Sequence, residues 1–345
     1  MTAPAPAAGA SRWRRKRRAE QPMVPKATFS SYYGKPVLKA PVWESRDIAG
    51  YLFLGGLAGG SSLLAAGADL TGRTELARAA KAGACGAIML SFAALADDLG
   101  RPTRILNMLR VFKVTSPMSV GTWLLGGYAQ AAGLAAGTAF SGRLPRVGAA
   151  ATAGTAVLGP AVAAYTATLI SDTAVPAWHD GYREMPFVFT GSAAMAAGGL
   201  GLLAAPTDES GPARNLALAG QVMEMVAFER MTRRLGMVAE PYHKGRGGAY
   251  IRVSQVLGAF GATGAVLSSA VPAGRARRVV AAVSGAALMG ASAAIRWGGL
   301  HAGMASARDP KYTVVPQRER LNERGTAKVE SAPVSVPQPP PVPPA

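Results

Sequence analysis

The 345-residue chain contains one cysteine and three histidines. A lone Cys85 allows no internal disulfide, no zinc finger and no iron–sulfur cluster held by the chain's own cysteines. His179, His243 and His301 fall in loops or at the ends of the apolar runs. A b-type haem needs axial ligands inside the bundle, usually histidines, so the sequence predicts no haem in this chain. No metal-ligand spacing, P-loop or nucleophile elbow occurs either.

Charge is also scarce. Charged residues make up 16% of the chain, whereas a soluble domain usually carries about 25%. The 37 basic residues exceed the 19 acidic ones, but they concentrate in the tails and between apolar runs, as in membrane proteins. We therefore expect no nucleic-acid partner. The basic stretch Arg12–Arg18 precedes no apolar core, so we expect the first helix to start membrane insertion.

Long apolar runs alternate with short basic loops. A transmembrane helix needs about 20 mostly apolar residues, and the fold class is predicted to be all-α, a polytopic membrane protein with about eight such helices. The sixth run contains Glu224 and Glu229, so an interfacial helix there, leaving six or seven spans, is the alternative. The 42 glycines suit close helix packing in lipid. The candidate spans are 48–70, 79–97, 117–140, 147–171, 186–205, 213–233, 249–271 and 278–300.

The chain divides into three parts. Residues 1–46 form a basic, Pro-containing tail, 47–304 the transmembrane domain, and 305–345 a polar, Pro-rich tail whose last residues are expected to be extended or disordered. Eight spans place both tails on one side of the membrane. Lys and Arg are enriched on the cytoplasmic side. The short loops on the two sides contain similar numbers of Lys and Arg, so the orientation is inferred from the basic residues of the tails, which predict cytoplasmic termini. Those basic residues are Lys35, Lys39, Arg46, Arg308 and Lys311.

Polar residues near the ends of the first and fourth runs could bind a ligand. Asp47 and Tyr51 are four residues apart and therefore share one helical face. They could hydrogen-bond a polar head group, or they could be a helix-terminal acid and an interfacial aromatic anchor. Tyr165 lies near the end of the fourth run, where a phenol can hydrogen-bond a carbonyl.

Two adjacent acids end the second run. Asp97 and Asp98 are followed closely by Arg101 and Arg104. This cluster could relay protons where the chain leaves the membrane. It could equally hold the loop in place by ion pairs.

Glu224 is the acid placed deepest in any run. An acid inside a span is a functional candidate, here a proton relay, because burying its charge in lipid is costly. The alternative is a structural carboxylate that pairs with Arg252 or Arg296 of neighbouring helices. A small-solute or ion transporter that uses Glu224, Glu229 and Asp97 is the rival function.

Three segments resemble the NrfD family, which includes the membrane subunit of polysulfide reductase. The first is Tyr51–Gly60 (YLFLGGLAGG) with the preceding Trp43. The second is Asp98–Pro102 followed by Ser116–Trp123 (SPMSVGTW), and the third is Tyr165 and Thr166 with Pro176 and Trp178. The resemblance covers about residues 40–305, and the Ser-Pro-Met-Ser-x-Gly-Thr-Trp segment is its most specific part.

This resemblance implies eight helices in two four-helix bundles without haem or metal. It implies partners, namely an iron–sulfur subunit of the 4Fe-4S ferredoxin type and a molybdopterin catalytic subunit. Electrons would pass between the iron–sulfur subunit and an exchangeable quinone, menaquinone or ubiquinone. By the family pattern the quinone residues are Asp47, Tyr51 and Tyr165. The helix 1 positions carry an amide and an imidazole in the polysulfide reductase subunit, so a carboxylate and a phenol here change the head-group chemistry.

Overall fold

The computed structural model describes residues 37–39, 41, 43–98 and 107–331, without the side chains of Asp98 and of residues 325–331. In these ranges all regular structure is helical, which confirms the predicted all-α fold. Short helical turns connect some of the long helices. The long helices are α1 (Ser45–Leu70), α2 (Thr74–Asp98), α3 (Pro117–Ser141), α4 (Pro145–Ser171), α5 (Met185–Ala204), α6 (Gly211–Leu235), α7 (Gly245–Ala270), α8 (Arg275–Arg308) and α9 (Lys311–Ser331).

Six of the described helices are long and apolar enough to cross a membrane, namely α1, α2, α4, α5, α7 and α8. Helices α3 and α6, of 25 residues each, are not among these six. Helix α3 is rich in Gly, Ser and Thr, and α6 contains charged residues on several of its turns. Eight spans therefore remain a prediction, although the eight helices coincide closely with the eight candidate runs.

Helices α1–α4 and α5–α8 form two groups. Helix α1 packs against α2 and α4, and α4 also packs against α3; in the second group α5 packs against α6 and α8, and α8 against α7. Helix α1 further contacts α5 and α8, so it belongs to the interface between the groups. We refer to α1–α4 as the first bundle and to α5–α8 as the second bundle.

Glycines lie where helices approach most closely. Gly59 of α1 and Gly159 of α4 face each other so closely that a Cβ on either would collide with the other's carbonyl oxygen. Gly199 of α5 and Gly285 of α8 are related in the same way. Backbones can come this near only without side chains between them. The glycine-rich run of α1 is therefore a packing surface, as the sequence indicated.

The connections after α4 and α6 lie at the end of the molecule at which α1 begins, which we call the proximal end. They include the short turns Pro176–His179 and Glu240–His243. The Tyr242 hydroxyl donates a hydrogen bond to the carbonyl oxygen of Ala177 at 2.9 Å, which joins the two connections. Helix α9 is attached at the same end, because the Tyr312 hydroxyl donates to Glu240 Oε2 at 3.0 Å.

Two features differ from the sequence expectations. Helix α8 continues to Arg308, so His301 lies inside a helix rather than at its end, with its ring stacked on Tyr250 at a centroid distance of 5.4 Å. Part of the region expected to be a polar tail forms helix α9, Lys311–Ser331. The Pro-rich run at 334–345 and most of the tail at 1–46 lie outside the described residues.

Candidate functional site

A cavity of about 390 Å³ opens near the proximal end of the first bundle. Its walls come from α1, α2, α4 and the connection that leads into α3. Most of the lining is apolar, and the polar groups are few. The lining includes Trp43, Ile48, Tyr51, Leu52, Leu95, Met108, Ser116, Pro117, Met118, Leu169, Ile170, Asp172 and Thr173.

The structure brings two of the three predicted quinone residues together. Tyr51 lines the cavity and is only 3% exposed. Tyr165 of α4 is its neighbour, and the two phenols are near enough to influence each other. A phenol can donate and accept at once, so this pair offers a donor at the cavity wall with a second phenol to support it.

The Ser-Pro-Met-Ser-x-Gly-Thr-Trp segment shapes this site in two ways. A Cβ at its glycine, Gly121, would overlap the ring of Tyr165, so the absence of a side chain makes room for the phenol. Ser119 Oγ donates to the carbonyl oxygen of Val111 at 2.9 Å and accepts from the N–H of Lys113 at 2.9 Å. These bonds fix the end of the connection that forms one cavity wall. The motif predicted a family likeness, but not these contacts.

The third predicted residue, Asp47, does not line the cavity. Asp47 is partly exposed, and Ile48 and Trp43 form the wall at this level. An acid that the sequence analysis did not single out does line it: Asp172, the residue after α4, is exposed. Only its position one residue beyond the fourth apolar run could have indicated this role.

Two tryptophans support the cavity wall. Trp43 lines the cavity and stacks on Trp178 with a centroid distance of 5.6 Å and an interplanar angle of 14°. Trp178 is fully buried, and its Nε1 donates to the carbonyl oxygen of Gly299 in α8 at 2.7 Å. A Cβ at Gly303 would overlap the indole of Trp178, so a second glycine of α8 makes room for it.

The acids at the end of α2 are only partly described. Asp97 is exposed. The side chain of Asp98, and Arg101 and Arg104 with the whole of 99–106, lie outside the described residues. The proposed roles of Asp97 and Asp98 as proton relays therefore stay predictions.

A second cavity, of about 320 Å³, lies between α6, α7 and α8 in the second bundle. Its polar lining includes Gln221 and Glu224 of α6 and Ser254 of α7. Glu229 of α6 also lines it, nearer to the proximal end. Three buried oxygens here have no hydrogen-bond partner among the described residues: Gln221 Oε1, Glu224 Oε2 and Ser254 Oγ. Buried oxygens of this kind usually bind water or protons.

Arg296 of α8 is fully buried close to this cavity. Its guanidinium lies 3.7 Å from the ring centroid of Phe189, and Nη2 donates to the Phe189 carbonyl oxygen at 2.7 Å. Within the described residues Arg296 forms no ion pair with Glu224 inside 4 Å, and Arg252 Nη1 instead donates to the His243 carbonyl oxygen at 3.1 Å. Neither arginine is therefore in direct ion-pair contact with Glu224, although the buried Arg296 is near enough for the two charges to interact.

Comparison with known families gives a match over most of the chain. The family model described as "Polysulphide reductase, NrfD" matches residues 37–305. This range contains both cavities, helices α1–α7 and all of α8 except its last three residues. No curated protein matches the chain. The family match agrees with the segments that suggested the resemblance, and it covers more than half of the sequence. The chain thus belongs to the NrfD family, whose members are multi-pass membrane subunits of oxidoreductase complexes.

Proposed function

We propose that this protein is the quinone-reactive membrane anchor of its complex, passing electrons between an iron–sulfur subunit and a membrane quinone, menaquinone or ubiquinone. The observation that carries the proposal is the cavity with Tyr51 in its wall and the phenol of Tyr165 next to it. A largely apolar cavity with a few directed polar groups is typical of a small-molecule site. A quinone, with an apolar ring and two carbonyl acceptors, has the matching chemistry.

The two tyrosines would act in series. With quinone bound, Tyr51 would donate its hydroxyl hydrogen to a quinone carbonyl, and the neighbouring Tyr165 hydroxyl would then donate to the Tyr51 oxygen. Each bond in such a chain strengthens the other. Leu52, Leu95 and Met118 supply the apolar surface against which the ring would pack. These residues bind and orient the quinone, and the electrons come from the partner subunit.

Quinone reduction takes up protons and quinol oxidation releases them. Asp172 is the acid that combines exposure to water with a place in the cavity wall, so it is the group best placed to exchange those protons. Asp47 is near on α1 but outside the wall, and we assign it a supporting role at the membrane edge. Glu224 would relay protons in the second bundle, where its unpartnered oxygen faces a separate cavity.

The partner subunits would dock at the proximal end. The cavity opens near this end, and an iron–sulfur cluster must come close to a bound quinone for electrons to transfer. A molybdopterin subunit would bind the iron–sulfur subunit rather than this chain. Both termini would be cytoplasmic, from Lys39, Arg46, Arg308 and Lys311. Fusion of a phosphatase that is active only in the periplasm to the C-terminus tests this, and activity of that fusion would overturn it.

Substitution of the tyrosines tests the quinone site. Tyr51→Phe removes the direct donor and should reduce quinone-linked turnover of the complex about tenfold, because a hydrogen bond in a dry pocket contributes roughly 1–1.5 kcal/mol. Tyr165→Phe removes the support and should have a smaller effect in the same direction. Tyr250→Phe is the matched control, since Tyr250 is 38% exposed and lies on α7. Reduction of an artificial dye by the partner subunits should stay unchanged in all three.

Two rival functions give different results. A purely structural scaffold would assemble with the same partners and show normal quinone kinetics in the Tyr51/Tyr165 double variant. A transporter would purify alone in mild detergent, without an iron–sulfur protein. The acids that a transporter would use do not form one route, because Glu224 and Glu229 line the second-bundle cavity while Asp97 is exposed at the end of α2.

A further inference from the structure

A long groove runs along the outer surface between α5 and α6, apart from both cavities already described. Its volume is about 940 Å³. Exposed apolar side chains form most of its lining, with Phe187 59%, Val222 56% and Val226 58% exposed. At one end the lining changes abruptly to three arginines, Arg183, Arg230 and Arg234.

The apolar and basic parts of the groove follow one line along α6. Leu218, Val222, Val226, Arg230 and Arg234 succeed one another at intervals of four residues, which places them on one face of the helix. From Leu218 to Arg230 the helix rises about 18 Å at 1.5 Å per residue. Half of a bilayer's hydrocarbon core is about 15 Å thick. The apolar part therefore has the length of one leaflet, and in a helix that spans the bilayer the arginines would lie at the level of the lipid head groups.

Two of the three arginines retain an uncompensated charge. Arg234 pairs with Glu184 through two bonds, of 2.8 Å and 2.5 Å, and this pairing lowers the pKa of Glu184, which precedes α5. Within the described residues Arg230 has no ion pair, and Arg183 donates only to the Tyr182 hydroxyl at 3.0 Å. The head-group end of the groove thus carries three arginines against one lining carboxylate, Glu184, and keeps a net positive charge.

We propose that this groove binds an anionic phospholipid, with an acyl chain along Val222 and Val226 and the phosphate at Arg183 and Arg230. A guanidinium matches phosphate oxygens in charge and in geometry. Basic pockets between transmembrane helices are the typical sites for anionic head groups. A zwitterionic lipid would bring an ammonium group near the arginines, and a neutral quinone would leave both charges unpaired. Lipid binding here requires no quinone chemistry, so it stands apart from the proposed function.

Native mass spectrometry of the delipidated full-length protein tests the proposal. Phosphatidylglycerol should bind with saturable stoichiometry, and phosphatidylcholine with identical chains should bind at least tenfold more weakly. The double substitution Arg183→Gln/Arg230→Gln should weaken phosphatidylglycerol binding about thirtyfold, since each of the two basic residues near an anionic head group contributes about fivefold. The matched control is Arg143→Gln/Arg146→Gln, which removes two exposed arginines of the α3–α4 connection, in the other bundle and at the end opposite the proximal end.

Two further measurements separate a lipid from other occupants. Val226→Trp fills the apolar part and should reduce phosphatidylglycerol binding while the arginines remain. Glycerol phosphate, which has the head-group charge but no acyl chain, should not compete at millimolar concentration. The proposal is overturned if phosphatidylcholine binds equally well, if the control variant loses as much affinity as the groove variant, or if a quinone analogue displaces the lipid.

Discussion

The ring of Tyr165 occupies the space that a side chain at Gly121 would need. Gly121→Ala should therefore displace the phenol, separate it from Tyr51 and lower quinone-linked turnover, with an effect at least equal to that of Tyr165→Phe. Gly127→Ala is the matched control on the same helix, because a Cβ at Gly127 meets nothing within 4 Å. Quinone kinetics should be measured on assembled complexes. Equal turnover in the two variants would show that the tyrosine pair does not serve the quinone.

The contact between Gly59 and Gly159 predicts a stability effect. Gly59→Ala introduces a Cβ against the carbonyl oxygen of Gly159, and overpacking of this kind costs about 1–3 kcal/mol. Gly67→Ala, later in α1, meets nothing within 4 Å and should be neutral or stabilising by up to about 1 kcal/mol, because alanine favours helices. Thermal unfolding in detergent measures both. A similar melting temperature for the two variants would contradict the close packing of α1 and α4.

Glu240 should make the attachment of α9 depend on pH. Its carboxylate pairs with Lys244 and with Lys311, the latter at 2.8 Å, and accepts from Tyr312. These partners lower the pKa of Glu240 to about 2. A carboxylate with a lowered pKa stabilises the folded state above its ordinary pKa of about 4.5 and loses that contribution as the pH falls through the lowered value. The attachment should therefore be intact at neutral pH and weaken between about pH 4.5 and 2.

Spin-label distances between α9 and the Glu240–His243 turn measure this attachment. Glu240→Gln should broaden the distance distribution already at pH 7, because the glutamine carries no charge for Lys311. Glu75→Gln, an exposed acid in an ion pair with Arg78 at 2.8 Å, is the control and should leave the distance unchanged. A distribution that stays narrow in Glu240→Gln would mean that other contacts hold α9.

Glu224→Gln should slow turnover of the complex while assembly is retained. The carboxylate is buried, and its Oε2 has no hydrogen-bond partner in the described part of the chain. Glutamine has nearly the same shape but cannot release a proton, so packing is kept and a relay is lost. Turnover should be followed as a function of pH, with Glu75→Gln again as the control. A fully active Glu224→Gln enzyme with an unchanged pH profile would leave Glu224 with a packing role only.

The sequence was sufficient to predict α1–α8, but not all their ends and not α9. A long apolar run that is bounded by prolines, glycines or arginines indicates a helix from the sequence alone. For this reason the eight predicted runs coincide with helices α1–α8. The end of α8 and the whole of α9 were missed, because contacts with distant residues stabilise them. Helix α9, for example, depends on Glu240, which is 71 residues before Lys311.

The candidate site was predictable only in part. Spacing and family pattern pointed to Tyr51 and Tyr165, and the structure places the two phenols near each other. The same pattern included Asp47, yet Asp172 is the acid in the cavity wall. Which acid reaches the wall depends on how α1 and α4 are rotated against each other, and one sequence carries no signal for that rotation. The role of Gly121 was hidden for the same reason.

The stack of Trp43 on Trp178 joins the first-bundle cavity, which Tyr51 lines, to α8. Trp43 is part of the cavity wall, and Trp178 is hydrogen-bonded to Gly299. Gly299 follows Arg296 by less than one helical turn. A movement of α8 by even a fraction of an ångström must therefore be accommodated at the cavity wall through two rigid indole rings. If the proposed functions are correct, protonation in the second bundle and occupancy of the cavity in the first would share a mechanical linkage and would not be independent.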